Sequence, residues 1–295
     1  MTIVPATDLV VSAAEPTPRQ GVWHYIRRHP TIVVGALILL IMAAMAVFAP
    51  WLGTVDPQAL SPIKRLKWPS SDYWFGTDML GRDVYSRTIY GARVSLIVGV
   101  SVALLSTALG LTIGVVAGFT RWVDAIVMRI MDGLMSIPSI LIAIALMALT
   151  RASMQNVIIA ITVSEVPRVT RLVRGIVLTL RELPFVEAAL ASGTGFVRIL
   201  WRHILPNTLP PLLVQGTFTA AAAMLVEAAL SFLGAGTPPN IPSWGNIMAE
   251  GRSLFQVAYY IVLFPGVFLS VTVLAINLLG DGLRDALDPR LARRM

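Results

Sequence analysis

Apolar runs at about 31–50, 94–118, 128–149, 155–175, 208–233 and 257–280 leave this chain few ways to fold. A helix needs about 20 apolar residues to cross a hydrocarbon core about 30 Å thick. With no water to satisfy backbone N–H and C=O groups there, only helices and closed barrels can span it, and the alternating pattern of barrel strands is absent. The sequence therefore predicts an all-α, polytopic membrane protein of about six transmembrane helices. Composition agrees, since 56% of the 295 residues are hydrophobic and only 13% charged. The fourth run is the weakest. Glu165, Pro167, Arg168, Arg171 and Arg174 follow closely on its apolar part, Val157 to Val163, so its inner end is predicted to project beyond the lipid.

The formal charge of +7 is scattered in short segments between these runs, which argues against a nucleic-acid partner. Placing the N-terminus inside puts 15 of the 23 Lys and Arg in cytoplasmic segments, as the positive-inside rule requires. Six of the other eight lie in 51–93, where Asp56, Asp72, Asp78 and Asp83 partly offset them. The resulting layout is a cytoplasmic tail (1–30), a transmembrane domain (31–280) and a cytoplasmic tail (281–295). Within the domain lie an outer segment (51–93), a cytoplasmic loop (181–207) and an outer loop (235–256). Arg19, Arg27 and Arg28 precede the first run, and Ala44-Met45-Ala46 weakly mimics a signal-cleavage site. The run is longer than a signal core and ends in Pro50-Trp51, so it reads as an uncleaved anchor.

The absence of cysteine excludes disulfides, a thiolate metal site and a cysteine nucleophile. His24, His29 and His203 have no second ligand at metal spacing, so neither a metal nor a catalytic centre is expected. His203 is expected instead to shape a turn by hydrogen bonding. There is no Gly-x-x-x-x-Gly-Lys-Ser/Thr loop. Any nucleotide energy must come from another chain.

The segment from Phe185 to Asn207 interrupts the apolar pattern. Pro184 suits a first helical turn, and Glu187 complements the positive end of that helix. Ala188, Ala189 and Ala191 let a partner's backbone approach, while Gly193 and Gly195 permit a sharp reversal. Thr194 is placed to cap a second helix, about Phe196 to Ile204, which carries Arg198 and Arg202 and is predicted to stop before Pro206. Taken alone, Glu-Ala-Ala is no more than a solvated loop. The whole spacing, Glu187-Ala188-Ala189, Gly193 and then His203-Ile204-Leu205-Pro206, resembles the EAA loop of permease subunits in bacterial ABC importers. That resemblance implies the type I, MetI-like permease fold. It also implies that Glu187, Ala188, Ala189, Gly193, His203, Leu205 and Pro206 couple the chain to an ATP-binding subunit. Two positions depart from the pattern: Ser192 stands where a large apolar residue is usual, and Gly195 where Ser or Ala is common.

Three further segments are similar to the dipeptide, oligopeptide and nickel group of these permeases. The first is Phe75-Gly76-Thr77-Asp78-Met79-Leu80-Gly81-Arg82-Asp83, running on through Arg87 to Arg93. Here Thr77 or Asp78 can cap a short surface helix that an Asp83–Arg87 pair would support, and either that structural role or substrate contact fits. The second is Leu230 to Gly236 with Ser243-Trp244-Gly245, read as a span end, a turn and a capped interfacial helix with Trp244 among lipid headgroups. The third is Asn277 to Arg290, the closing segment.

Ionisable groups at membrane depth are functional candidates because charge in hydrocarbon is costly. Asp132, Glu165 and Glu227 qualify, with Asn277 as a polar neighbour. Each also has a structural reading: Arg129 and Arg168 are expected partners of Asp132 and Glu165, and Glu227 of an interhelical hydrogen bond. The resemblance implies transport by alternating access in the bacterial cytoplasmic membrane, with both termini inside. It further implies no catalysis and no cofactor in this chain, since ATP and Mg would be bound by partner subunits. Those partners would be a second, homologous permease, two ATP-binding subunits and an extracytoplasmic substrate-binding protein, all assembled in membrane lipid. Peptide is the leading solute, with nickel or another small solute as the alternative. A proton-coupled transporter using Asp132, Glu165 and Glu227 ranks behind, because it leaves the loop unexplained. An intramembrane hydrolase ranks last.

Overall fold

A computed structural model describes residues 30–287. The arginines of the N-terminal tail and the closing Asp288-Pro289-Arg290 lie outside the described residues. Within them the chain is helical, and a single isolated bridge between Thr77 and Asp83 is the one β feature. The helices are α1 (Pro30–Val47), α2 (Val84–Phe119), α3 (Arg121–Met135), α4 (Ser139–Ala148), α5 (Met154–Arg181) and α6 (Pro184–Ala191). They continue with α7 (Phe196–Ile199), α8 (Leu205–Phe232), α9 (Trp244–Gly251) and α10 (Tyr260–Leu287).

Four helical stretches are long and apolar enough to cross a bilayer: α1, α2, Phe196–Phe232 and α10. A fifth crossing results if α3 and α4 act together, although they meet at a bend of 88°. That bend has a local cause at Ser136-Ile137-Pro138, where the proline ring pushes the residue before it out of helical geometry. The fourth expected run falls in α5. This helix is continuous for 28 residues despite Pro167, and its charged second half keeps it from being an apolar span by composition. At 1.5 Å per residue the 36 residues of α2 reach about 54 Å, well beyond a hydrocarbon core, so its ends project.

The centre of the bundle is the α2–α5 pair. Gly110, Gly114 and Gly118 repeat every fourth residue on α2, opposite Val169, Val173 and Val177 at the same spacing on α5. A Cβ built on these glycines would lie 2.6 to 2.7 Å from valine side-chain atoms, closer than packed carbons approach. The glycines therefore set the interhelical distance, as small-residue stripes do in lipid, where packing rather than hydrophobicity joins helices. Around this seam α8 packs on α2 and α10, and α1 lies outermost against α10 through Gly35 and Gly282. One end of the bundle carries α6, α7, Pro30 and Leu287. The other carries residues 48–83, α9 and the loops beside it.

Replacing Gly114 by Leu is expected to force the α2–α5 seam apart at a cost of about 1–3 kcal/mol. Thermal unfolding of the detergent-purified chain would show it as a lowered midpoint.

Candidate functional site

The knob at 183–207 is built as two helices around one glycine. Pro184 opens α6 and Glu187 sits in its first turn, as its position there suggests. Thr194 N–H donates to Ala189 O and Gly193 N–H to Leu190 O, both at 3.0 Å, with Gly193 at φ +75°. This is a Schellman closure, and its left-handed residue is glycine because a Cβ is disfavoured there. Four expectations change. Gly195 has φ −66° and is the N-cap of α7, where no side chain, Thr194 included, makes a capping bond. The second helix does not end at Pro206 but runs on into α8 through a π-helical turn, Leu200–Ile204. In that wider turn Leu205 N–H reaches Leu200 O, which lets the proline ring pass without breaking the helix. The His203 ring makes no hydrogen bond among the described residues. It packs at 5.7 Å from the Phe185 ring, and its carbonyl accepts from Asn207 Nδ2.

One side of the knob is bolted to the bundle. Val186, Ile199 and Ile204 are buried with Val115 of α2 and with Val169, Val173 and Val177 of α5. Phe119 meets Phe196 edge to face at 4.8 Å, and Arg181 donates to Gly118 O. The other side is free. Glu187, Ala188, Gly193 and Pro206 are exposed, and Ala189 and Leu205 are half-buried. Phe185, Leu190, Val197 and Trp201 are exposed apolar neighbours, Trp201 at 66%, beside the exposed Arg198 and Arg202. Motif spacing alone did not single out these aromatic and aliphatic residues. The signal was a period of buried and exposed apolar positions through 185–204.

The opposite end is closed by ions. Arg87, 1% exposed, reaches Asp78 Oδ2 at 2.6 Å and Glu250 at 2.6 and 3.1 Å, while Arg82 bridges the same two carboxylates at 2.6 and 2.5 Å. Two guanidinium groups thus balance two carboxylates, one of them on α9. Asp78 Oδ1 also takes the N–H groups of Leu80 and Arg82. The expected Asp83–Arg87 pair and surface helix do not form. Asp83 is instead the N-cap of α2, accepting from Ser86 N–H at 2.8 Å, and Thr77 and Asp78 lie in the turn before it. The Thr77 hydroxyl bonds the backbone of Lys64 and Lys67. Gly76 and Gly81, both at φ +74°, approach the backbone of Lys67 and Ser61 too closely for any side chain. All these motif residues are spent on internal structure. Glu250 was missed because its partners lie more than 160 residues away.

Ser243 caps α9 through Asn246 N–H, but the interfacial placement of Trp244 is overturned. Its indole is fully buried and donates to Thr88 O at 3.0 Å, and Gly91 and Gly245 leave room for α9 against α2 and α8. Among the acids, Glu165 pairs with Arg168 at 3.3 Å as expected. Asp132 pairs with Arg171 at 2.5 Å, not with Arg129, because α3 lies against α5; Asp124 likewise grips Arg174 through two bonds. Glu227 accepts from Ser231 of its own helix at 2.9 Å, next to Thr237 and to Ser243 at the start of α9. Asn277 is half-buried on α10. Asp132, Glu165 and Glu227 share no hydrogen-bond partner among the described residues, and no metal-holding cluster occurs among them.

Residues 110–293 match the family model for the binding-protein-dependent transport system inner membrane component. The chain belongs to this family. Residues 17–69 match the N-terminal membrane domain of oligopeptide transport permease C. A probable peptide ABC transporter permease of Sinorhizobium fredii is 52% identical over 97% of this chain and 99% of its own length. The dipeptide transport permease DppC of Alkalihalophilus pseudofirmus is 42% identical over 93% of this chain and 91% of its own. In fold, the chain is similar to a subunit of the inward-facing MetNI methionine ABC transporter, with TM-score 0.56, 24% identity and coverage of 68% of this chain and 96% of that one. The all-helical permease architecture expected of the chain is therefore established.

For this inner membrane component the buried ion cluster is a stability element. Arg87→Met leaves two carboxylates to one arginine, and breaking a buried pair costs about 3–5 kcal/mol. A lower unfolding midpoint and faster proteolysis within 55–83 are expected. Adding Glu250→Gln should restore part of the loss.

Proposed function

We propose that the chain is one permease subunit of an ATP-driven importer that carries peptides across the bacterial cytoplasmic membrane by alternating access. The peptide assignment rests on the names of its relatives. The partners are a second, homologous permease, two ATP-binding subunits that hold ATP and Mg, and an extracytoplasmic protein that delivers the solute. In this reading the knob and both termini face the cytoplasm, and residues 48–83 and α9 face outward. Hydrolysis occurs in the partners, and this chain converts their movement into movement of its helices.

The observation that carries the reading is the two-sided knob. Val186, Ile199 and Ile204 join it to the inner ends of α2 and α5, so a push on its free face displaces those helices as a unit. The free face offers Glu187, Ala188 and Gly193 with exposed apolar side chains and two arginines, which suits a protein groove.

Uptake of a radiolabelled dipeptide by the complete transporter in proteoliposomes tests it. Gly193→Pro, which cannot adopt φ +75°, and Glu187→Lys are each expected to lower ATP-driven uptake at least tenfold while leaving membrane insertion intact. Normal uptake by both variants would overturn the coupling role. A cysteine at Ala189 should react with an impermeant reagent only from the cytoplasmic side; labelling from outside would reverse the topology.

A further inference from the structure

Glu227 is a carboxyl group that the coupling reading does not use. It lies on α8 five residues before the helix ends and is fully buried. It is also the sole ionisable residue of α8. Ser231 Oγ donates to its Oε1 at 2.9 Å, while Oε2 has no partner among the described residues. Nor does any cation among the described residues stand within ion-pair distance of it. Of the charged or titratable groups on the elements packed on α8, Arg87 of α2 and Glu250 of α9 engage each other, Arg93 the carbonyls of Ala46 and Val47, Glu165 of α5 Arg168, and the Tyr260 hydroxyl of α10 the carbonyls of Lys67 and Thr77, while Asp281, Arg284 and Asp285 sit at the far end of α10.

What surrounds the carboxyl is a set of hydroxyls and amides from the outer loop. Ser231 Oγ accepts from Thr237 N–H at 3.3 Å, and Thr237 Oγ1 donates to Ser243 Oγ at 3.3 Å. Asn246 Nδ2 donates to Thr237 Oγ1 at 2.9 Å and to the carbonyls of Thr237, Pro238 and Ile241 at 3.1 Å. One connected circuit thus runs from α8 through the loop to α9. The loop enters it by a second glycine closure, Ala235 N–H to Leu230 O and Gly234 N–H to Ser231 O, with Gly234 at φ +83°.

We propose that Glu227 is a positioning residue which, through hydrogen bonds and not through charge, locks the outer loop and α9 onto α8. A buried hydrogen-bonded network holds its members in one arrangement and loosens when one of them is removed. The lock matters because α9 also carries Glu250 and Trp244, its ties to the outer segment and to α2. Without it, the outer end of the bundle comes free of α8. Only the transport readout rests on the importer reading, whereas the lock itself is read from the chain alone.

The test compares Glu227→Gln with Glu227→Ala in the full transporter, by dipeptide uptake and by hydrogen exchange of amides 234–251. Glu227→Gln, which keeps the shape and an accepting oxygen, is expected to retain uptake within about twofold and the exchange protection of the native chain. Glu227→Ala should lose at least tenfold in uptake and expose those amides. Should Glu227→Ala not fold, Ser231→Ala removes the same bond from its other end and should raise exchange over 234–251 in a way that Glu227→Gln does not add to. Damage by Glu227→Gln equal to that by Glu227→Ala would overturn the lock and assign a role to the charge. Unchanged exchange in Glu227→Ala or, in its place, Ser231→Ala would overturn it as well. If native protein carried no peptide at all while the exchange pattern held, the importer reading would fail and the lock would stand.

Discussion

The seam between α2 and α5 is the contact on which the other parts depend. Inside a bilayer, helices gain nothing by leaving lipid for one another unless their surfaces fit closely, and three glycines facing three valines supply that fit. The same valines continue into the cluster that receives Val186, Ile199 and Ile204. The knob is therefore mounted on the one pair of helices least free to slide. A lever is useful only if its base is stiff, and here the base and the bundle core are the same set of side chains.

Both ends of the molecule solve the problem of reversing a chain beside a membrane in the same way. At Gly193 and at Gly234 a helix closes with a pair of Schellman hydrogen bonds around a left-handed glycine. The consequences differ because the residues beyond each glycine differ. After Gly193 come exposed apolar residues and arginines, a surface with no internal partner. After Gly234 come Thr237, Ser243 and Asn246, whose polar atoms are consumed by one another and by Glu227. One reversal leaves its neighbours exposed; the other is sealed.

Much of this was legible in the residues, and the exceptions share a cause. Helical class, the weak fourth run and the glycine reversal at Gly193 came from local patterns: hydropathy, charge density and a single φ requirement. Long-range pairings did not. Trp244 looked like a headgroup anchor because tryptophan prefers interfaces, yet Gly91, some 150 residues earlier, opens a slot for it in the protein. Arg87 seemed to belong to Asp83 by helix spacing, but Asp83 is needed to cap α2, and the guanidinium turns to Asp78 and Glu250 instead. Pro206 reads as a stop until the π-helical turn supplies the extra room. In each case a local rule was correct about preference and was overridden by a partner that local spacing cannot reveal.

The distribution of rigidity bears on how such a bundle can move. The end that carries residues 48–83 and α9 is cross-linked by a buried four-residue ion cluster and a hydrogen-bonded loop, and the α2–α5 seam is locked sterically. The 88° break at Pro138 is different: it joins two short helices, and the ion pairs between α3 and α5, Asp124–Arg174 and Asp132–Arg171, are partly or largely exposed. Exposed pairs contribute roughly 0–1 kcal/mol each and exchange readily with water. Buried pairs do not, since separating them strands charge away from solvent. Movement imposed on the knob should therefore pass through α2 and α5 as rigid bodies and be absorbed where the ties are weakest, between α3 and α5 and at the proline break. Stiffness near the knob and compliance at Pro138 are complementary requirements of one mechanical path.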